Sequence, residues 1–197
     1  MTAGASREAE ALLDESLRLT RAGLHAQNEE LLRDAVERFP TDAELLFRLA
    51  VATCQQDRCG SKERLSQAIH LAPDDPGILT RGASLMFALG DIETARRWTE
   101  RARTRATDEF PLLIPLIHLI GKLAEHQGSY EAAEEALTIA FRKEPETVDH
   151  GRVLARFYVR RGRLRDALRV VERALAEHQD DPWFGRLRGD LESRLSS

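Results

Sequence analysis

Apolar residues along the chain recur at helical spacing in blocks of about a dozen, and the blocks come in pairs joined by short polar turns. Residues 114–145, IPLIHLIGKLAEHQGSYEAAEEALTIAFRKEP, show the pattern most fully. Ile117, Ile120, Leu123 and Ala124 share one face of a first helix, and Ala133, Leu137 and Ala140 share one face of a second. Gly128 falls in the turn between them and Pro145 stops the second helix. Gly121 removes a side chain where the two helices would otherwise collide.

The same pair recurs along the chain. The first unit, residues 9–41, carries Leu12, Leu13, Leu17 and Leu19, turns at Gly23, and continues through Leu31, Leu32, Ala35 and Phe39 to Pro40. Asn28 stands there where a small residue is expected. In the second unit, residues 42–75, Thr41 and Glu44 read as a capping box ahead of Leu45, Leu46, Leu49 and Ala50. Its turn, around residues 57–61, lacks the single glycine, which makes it the most irregular unit. Asp75-Pro76 caps and opens the third unit, residues 76–109, with Leu79, Gly82, Ala83 and Met86 on its first helix and a Gly90-Asp91 turn. Trp98 is expected to pack against a neighbouring helix. The fourth unit, residues 110–147, has Phe110-Pro111-Leu112-Leu113 extending its first helix backwards. The fifth, residues 148–181, repeats the pattern with Leu154, Ala155, Tyr158, Gly162, Leu164, Ala167, Val171 and Ala174. Residues 182–197 form a closing helix and tail, amphipathic through Phe184, Leu187, Leu191 and Leu195, and residues 1–8 an N-terminal tail. The alanine pairs Ala95/Ala102, Ala133/Ala140 and Ala167/Ala174 keep one seven-residue spacing, so each pair lies on one helix face.

Read as Ile117-x2-Ile120-Gly121-x2-Ala124, then Gly128, Tyr130, Ala133, Leu137, Ala140 and Pro145, the pattern resembles a tetratricopeptide repeat of about 34 residues. It departs from that repeat with Ile117 in place of Trp and Ala124 in place of Tyr. Three units match closely and the first two match by spacing. The resemblance implies an all-α fold: a right-handed α-solenoid of about five helix pairs with a C-terminal capping helix that covers the last apolar face. It also implies that the first helix of each pair lines a concave working surface.

Composition fits a folded helical chain: 42% hydrophobic and 31% charged residues in 197. The net charge of −4 gives no general attraction to nucleic acid or anionic lipid, so any anion binding has to come from a local patch. Only three of the 29 basic residues are lysines, a coding bias that points to a bacterial source. The N-terminal stretch shows no basic segment followed by an apolar one, which places the expected location in the cytoplasm. Cys54 and Cys59 are read as free thiols, because one C-x4-C falls short of the four ligands of a structural zinc site. No cofactor or metal is expected.

Helical spacing carries the resemblance to particular residues. Leu13, Leu17, Phe47, Val51 and Phe87 are expected to line the N-terminal part of the groove, and His118, Lys122, His126, Arg152, Arg156 and Arg160 the C-terminal part. The groove would then run from apolar to basic. Arg152, Arg156 and Arg160 follow one another at four-residue steps, within about 12 Å on one helix face. Their planar guanidiniums suit a carboxylate or phosphate, and pairing with nearby glutamates is the alternative. The Lys, Asn, Asn, Lys, Arg set with which some members hold a chaperone C-terminus has no counterpart at the matching positions. Lys122 between His118 and His126 argues against a metal site. No glycine-rich phosphate loop, G-x-S-x-G elbow or H-E-x-x-H is present, and no catalytic residue is assigned.

The expected function is that of a non-enzymatic scaffold or adaptor that binds a partner peptide or helix, with an acidic segment meeting the arginines. A self-associating module in contact through residues 110–116 or the second unit is one alternative. RNA binding is the other, with the net charge and the scarcity of stacking aromatics against it.

Overall fold

The computed structural model describes residues 3–196, with side chains from Arg7 onward. Among these residues there are eleven α-helices and no strand. They fall into two compact units, residues 1–106 and residues 107–197.

Unit 1 holds α1 (Ala3–Arg21), α2 (His25–Arg38), α3 (Ala43–Thr53), α4 (Arg58–Leu71), α5 (Pro76–Ala88) and α6 (Ile92–Arg105). Unit 2 holds α7 (Leu113–His126), α8 (Tyr130–Lys143), α9 (Val148–Arg160), α10 (Leu164–Glu177) and α11 (Pro182–Ser196). Each odd-numbered helix from α1 to α9 packs against the even-numbered helix that follows it, and α11 packs on α10. First helices also touch one another within each unit: α1 with α3, α3 with α5, and α7 with α9. The expected tail of residues 1–8 lies partly outside the described residues, and α1 has already begun at Ala3.

Four of the five turns inside the pairs are built alike. Gly23, Gly90, Gly128 and Gly162 all have φ between +70° and +80°, a left-handed conformation that a side chain disfavours. The next residue's N–H reaches back to a carbonyl five positions earlier, as in Ser129 to Ala124 at 2.9 Å and Arg163 to Tyr158 at 2.9 Å. The second pair manages without glycine. There Asp57 N–H bonds Thr53 C=O at 2.8 Å, the Asp57 carboxylate caps α4 through Gly60 N–H at 2.9 Å, and Arg64 ties Asp57 to Thr53.

Aspartates start several of the helices. Asp75, Asp91 and Asp181 accept free N–H groups in the first turns of α5, α6 and α11, the first of them as the Asp75-Pro76 pair predicts. For α3 the cap is Asp42 rather than Thr41, bonding Glu44 N–H and Leu45 N–H at 3.0 Å each. Glu44 is thereby free for other partners, with consequences below. The expected backward extension of α7 does not form. Leu113 N–H closes a turn on Phe110 C=O at 3.0 Å, and α7 begins only at Leu113, beyond Pro111, which has no N–H to give. Pro115 is tolerated because it sits in the first turn.

Small residues let the paired helices approach. Ala95, Ala102, Ala133, Ala140, Ala167 and Ala174 are all buried, and Trp98 covers Gly82, where a Cβ would lie 3.3 Å from the indole. In unit 1 the cluster of Ala9, Leu32, Ala35, Leu45 and Leu49 joins α1, α2 and α3. In unit 2 Leu137, Phe141, Leu154, Phe157 and Val171 form a larger core that Phe184 and Leu191 of α11 complete. The closing helix therefore shields the last pair, as the sequence predicts.

Candidate functional site

The first helices of unit 1 enclose a cleft of about 760 Å³. Its walls come from Ser16 and Thr20 on α1, His25 and Asn28 on α2, Phe47, Arg48 and Val51 on α3 with Cys54 just beyond its end, and Arg81 on α5. Val51 is 44% exposed, while Phe47 is only 6% exposed beneath the Arg81 guanidinium, which stacks 4.5 Å from the ring centroid. Glu44 sits between two arginines. It accepts from Arg48 Nε at 2.9 Å, from Arg81 Nη1 at 2.8 Å and from Arg81 Nη2 at 2.6 Å. Burial pushes the Glu44 carboxyl up, but the hydrogen bonds and charges of Arg81 and Arg48 outweigh it and hold the group below its usual range. Within this cluster one carboxylate answers two guanidiniums beside an apolar patch, with Asp75 a further charge acting on Arg81.

Leu13 and Leu17 do not form the cleft wall. Both are half-buried, with Leu13 packed on the unit 1 core, and the cleft side of α1 is formed by buried Ser16 and exposed Thr20. Asn28 joins them, its amide donating to Thr20 Oγ1 at 3.2 Å. Their four-residue spacing and small polar character were the available signal for this face. Phe87 is half-buried on the last turn of α5, away from the cleft walls.

In unit 2 the predicted basic residues separate. Lys122 is half-buried and His126 exposed on α7, but His118 is 6% exposed and packs edge-on against His150 of α9. Burial, with help from His150 and Lys122 and against Asp149, pushes His118 down from 6.5 to about 4. The three arginines of α9 share a helix but not a role. Arg160 is gripped by Glu125 of α7 at 2.6 Å, and Arg152 by Asp181 at the cap of α11 at 2.8 Å. The guanidinium of Arg156 lies 5.2 Å from the centroid of the Trp183 ring and has no ion pair among the described residues. Burial raises the Asp181 carboxyl, yet the Phe184 and Trp183 N–H groups and Arg152 bring it below its usual value. Glu125, Asp181, His150 and Trp183 are the partners that helical spacing left unassigned.

Cys54 is half-buried in the cleft and Cys59 is exposed on α4; both thiols are free. Among the described residues no group of three or more His, Cys, Asp or Glu side chains could hold a metal ion. No helix of the described residues is long and apolar enough to cross a membrane.

Residues 124–191, from the end of α7 through most of α11, match the tetratricopeptide repeat family. This stretch carries the tetratricopeptide repeat pattern. Solved structures of such helical-repeat folds superpose on nearly the whole chain. A thermophilic tetratricopeptide-repeat protein of Thermus thermophilus does so with a TM-score of 0.75 and 23% identity, over 96% of this chain and 100% of that one. Pseudomonas aeruginosa pilF does so with a TM-score of 0.79 and 15% identity, over 98% of this chain and 86% of that one. In sequence the chain is similar to cellulose synthase operon protein C of Pseudomonas fluorescens (strain SBW25), 25% identical over 176 residues. That match takes in 87% of this chain, which spans only 14% of the length of that relative. The all-α expectation is met: among the described residues five helix pairs and a closing helix follow one another, the fold class of the tetratricopeptide α-solenoid. Folds of this type typically serve protein–protein interaction.

Proposed function

We propose that this tetratricopeptide-repeat chain is a non-enzymatic scaffold that holds a segment of a protein partner in the cleft of unit 1. The observation that carries the reading is the join of an exposed apolar side chain, Val51, to the Arg48–Glu44–Arg81 cluster, where one carboxylate answers two guanidiniums. A fitting partner segment contributes one apolar side chain against Val51 and Phe47 and one carboxylate toward Arg48 and Arg81. Its burial of apolar area supplies affinity, and the charge sets register.

This reading moves the acidic contact from the α9 arginines to unit 1. Arg152 and Arg160 already have carboxylates of the chain itself, so a partner gains little by competing for them. The same pairing weakens the RNA reading, which needs free guanidiniums. Self-association through residues 110–116 loses support because Leu116 is buried and its neighbours, Pro111 apart, are at least half-buried. The cytoplasmic setting is retained as part of the proposal.

Val51→Glu is the test, with Gln67→Glu on the exposed side of α4 as the matched control. A partner captured by the wild-type chain is expected to bind Val51→Glu at least roughly tenfold more weakly and the control unchanged. Equal binding by both variants would reject the cleft.

A further inference from the structure

In unit 2 the first helices α7 and α9 meet through two buried imidazoles. His118 is 6% and His150 3% exposed, with ring centroids 4.5 Å apart and planes at 89°. His118 Nε2 and His150 Nδ1 are buried and have no hydrogen-bond partner among the described residues. Two carboxylates stand just beyond hydrogen-bonding reach. Asp149 Oδ2 is 3.9 Å from His118 Nδ1, and Glu144 Oε2 is 3.9 Å from His150 Nδ1. The charged groups facing the pair are thus Asp149 from the first turn of α9, Glu144 at the end of α8, and Lys122 from α7 itself.

Such a contact is favourable for neutral rings only. Histidine is the side chain that gains charge in mild acid, and an imidazolium sealed against a second imidazole has lost its water without gaining a hydrogen-bond partner. Neither carboxylate can compensate from 3.9 Å while the helices stay closed. Asp149 is 66% exposed at the edge of the contact, so separating α7 from α9 would let water reach the buried rings.

We propose that the His118–His150 contact is an acid-operated latch: neutral, it holds α7 against α9, and on protonation it releases the two helices from each other. The same two helices are bridged by Arg160 and Glu125, so release also parts that ion pair. Burial, His150 and Lys122 all disfavour the charged form of His118 and Asp149 alone favours it, which keeps the latch closed near neutral pH.

Hydrogen exchange of the full chain from about pH 7.5 to about pH 4.5, corrected for the intrinsic rate, reads the latch directly. In the wild type, residues 113–126 and 148–160 are expected to lose protection roughly tenfold or more in acid, while α3 and α5, which contain no histidine, keep theirs. His118→Phe, a ring without a titrating nitrogen, is expected to abolish the response. Asp149→Asn changes only an exposed carboxylate; with the one charge favouring protonation of the closed form gone, acid should open the two helices at least as far as in the wild type. Flat protection of α7 and α9 across the range, parallel loss in all helices, or a weaker acid response in Asp149→Asn than in the wild type would each overturn the proposal.

Discussion

Gly121 and Leu137 touch where α7 crosses α8. A Cβ built on Gly121 would stand 2.8 Å from Leu137 Cγ and 3.1 Å from the Leu137 backbone nitrogen. The leucine could rotate away, but the backbone could not, so Gly121→Ala pushes the pair apart. Overpacking of this kind costs about 1–3 kcal/mol. Gly189 is the contrasting case, a glycine inside α11 with open space around its Cβ position. Its replacement by alanine should gain about 0.5–1 kcal/mol from helix propensity. Urea unfolding followed by circular dichroism checks both, with the midpoint falling for Gly121→Ala and rising for Gly189→Ala.

Glu44→Gln removes the charge that holds Arg48 and Arg81 together. Two half-buried guanidiniums then share a weak amide acceptor, a loss of about 1.5–3 kcal/mol for charged hydrogen bonds. The wild-type contribution is present above the unfolded value of 4.5 and disappears as pH falls through the depressed folded value. Thermal melts at neutral pH should therefore separate the two proteins, and melts in strong acid should bring them together.

Stability also depends on His118. Between 6.5 and about 4 the unfolded chain takes up a proton that the folded chain refuses, so resistance to unfolding is complete above 6.5 and declines below it. Moving a group from 6.5 to about 4 corresponds to roughly 3 kcal/mol. Urea midpoints measured across that interval should slope in the wild type and be flatter in His118→Phe. Equal slopes in the two proteins would place the acid sensitivity elsewhere.

Asp181→Ala strips the cap from α11 and the carboxylate from Arg152 in one change. The expected cost is about 1–2 kcal/mol, the range of a lost helix cap. Trp183 lies beside both groups and reports the change by fluorescence, so unfolding of the variant should begin earlier at the tryptophan than in the wild type.

How much of this was legible in the sequence follows from what periodicity encodes. Gly121, the seven-residue alanine pairs and the Asp75, Asp91 and Asp181 caps each act on neighbours a few residues away or on the adjacent helix, and the pattern exposes them. Arg160 and Glu125 are 35 residues apart and Arg152 and Asp181 are 29 apart, distances over which no repeat unit dictates which charge answers which. The sequence therefore left the α9 arginines open between a basic face and pairing with nearby acids, and the structure pairs Arg152 and Arg160. His118 failed for another reason. One residue turns a helix by about 100°, so a side chain at the margin of a face is assigned to the groove or to the core by a small rotation. Ser16 and Thr20 gained the cleft by the same margin at which Leu13 and Leu17 lost it. Thr41 yielded the α3 cap to Asp42 because the two candidates are adjacent and equally suited.

The central claim is that the unit 1 cleft holds the partner, and the chain carries its own reporter there. Cys54 lines the cleft, whereas Cys59 is exposed on α4 and is not among the cleft-lining residues. Alkylation rates of the two thiols, read by mass spectrometry with and without saturating partner, compare them in one tube. A partner seated in the cleft should slow Cys54 roughly tenfold or more and leave Cys59 within about twofold, since access governs the reaction of an otherwise unchanged thiol. Unaltered alkylation of Cys54 in a demonstrably formed complex would contradict the claim.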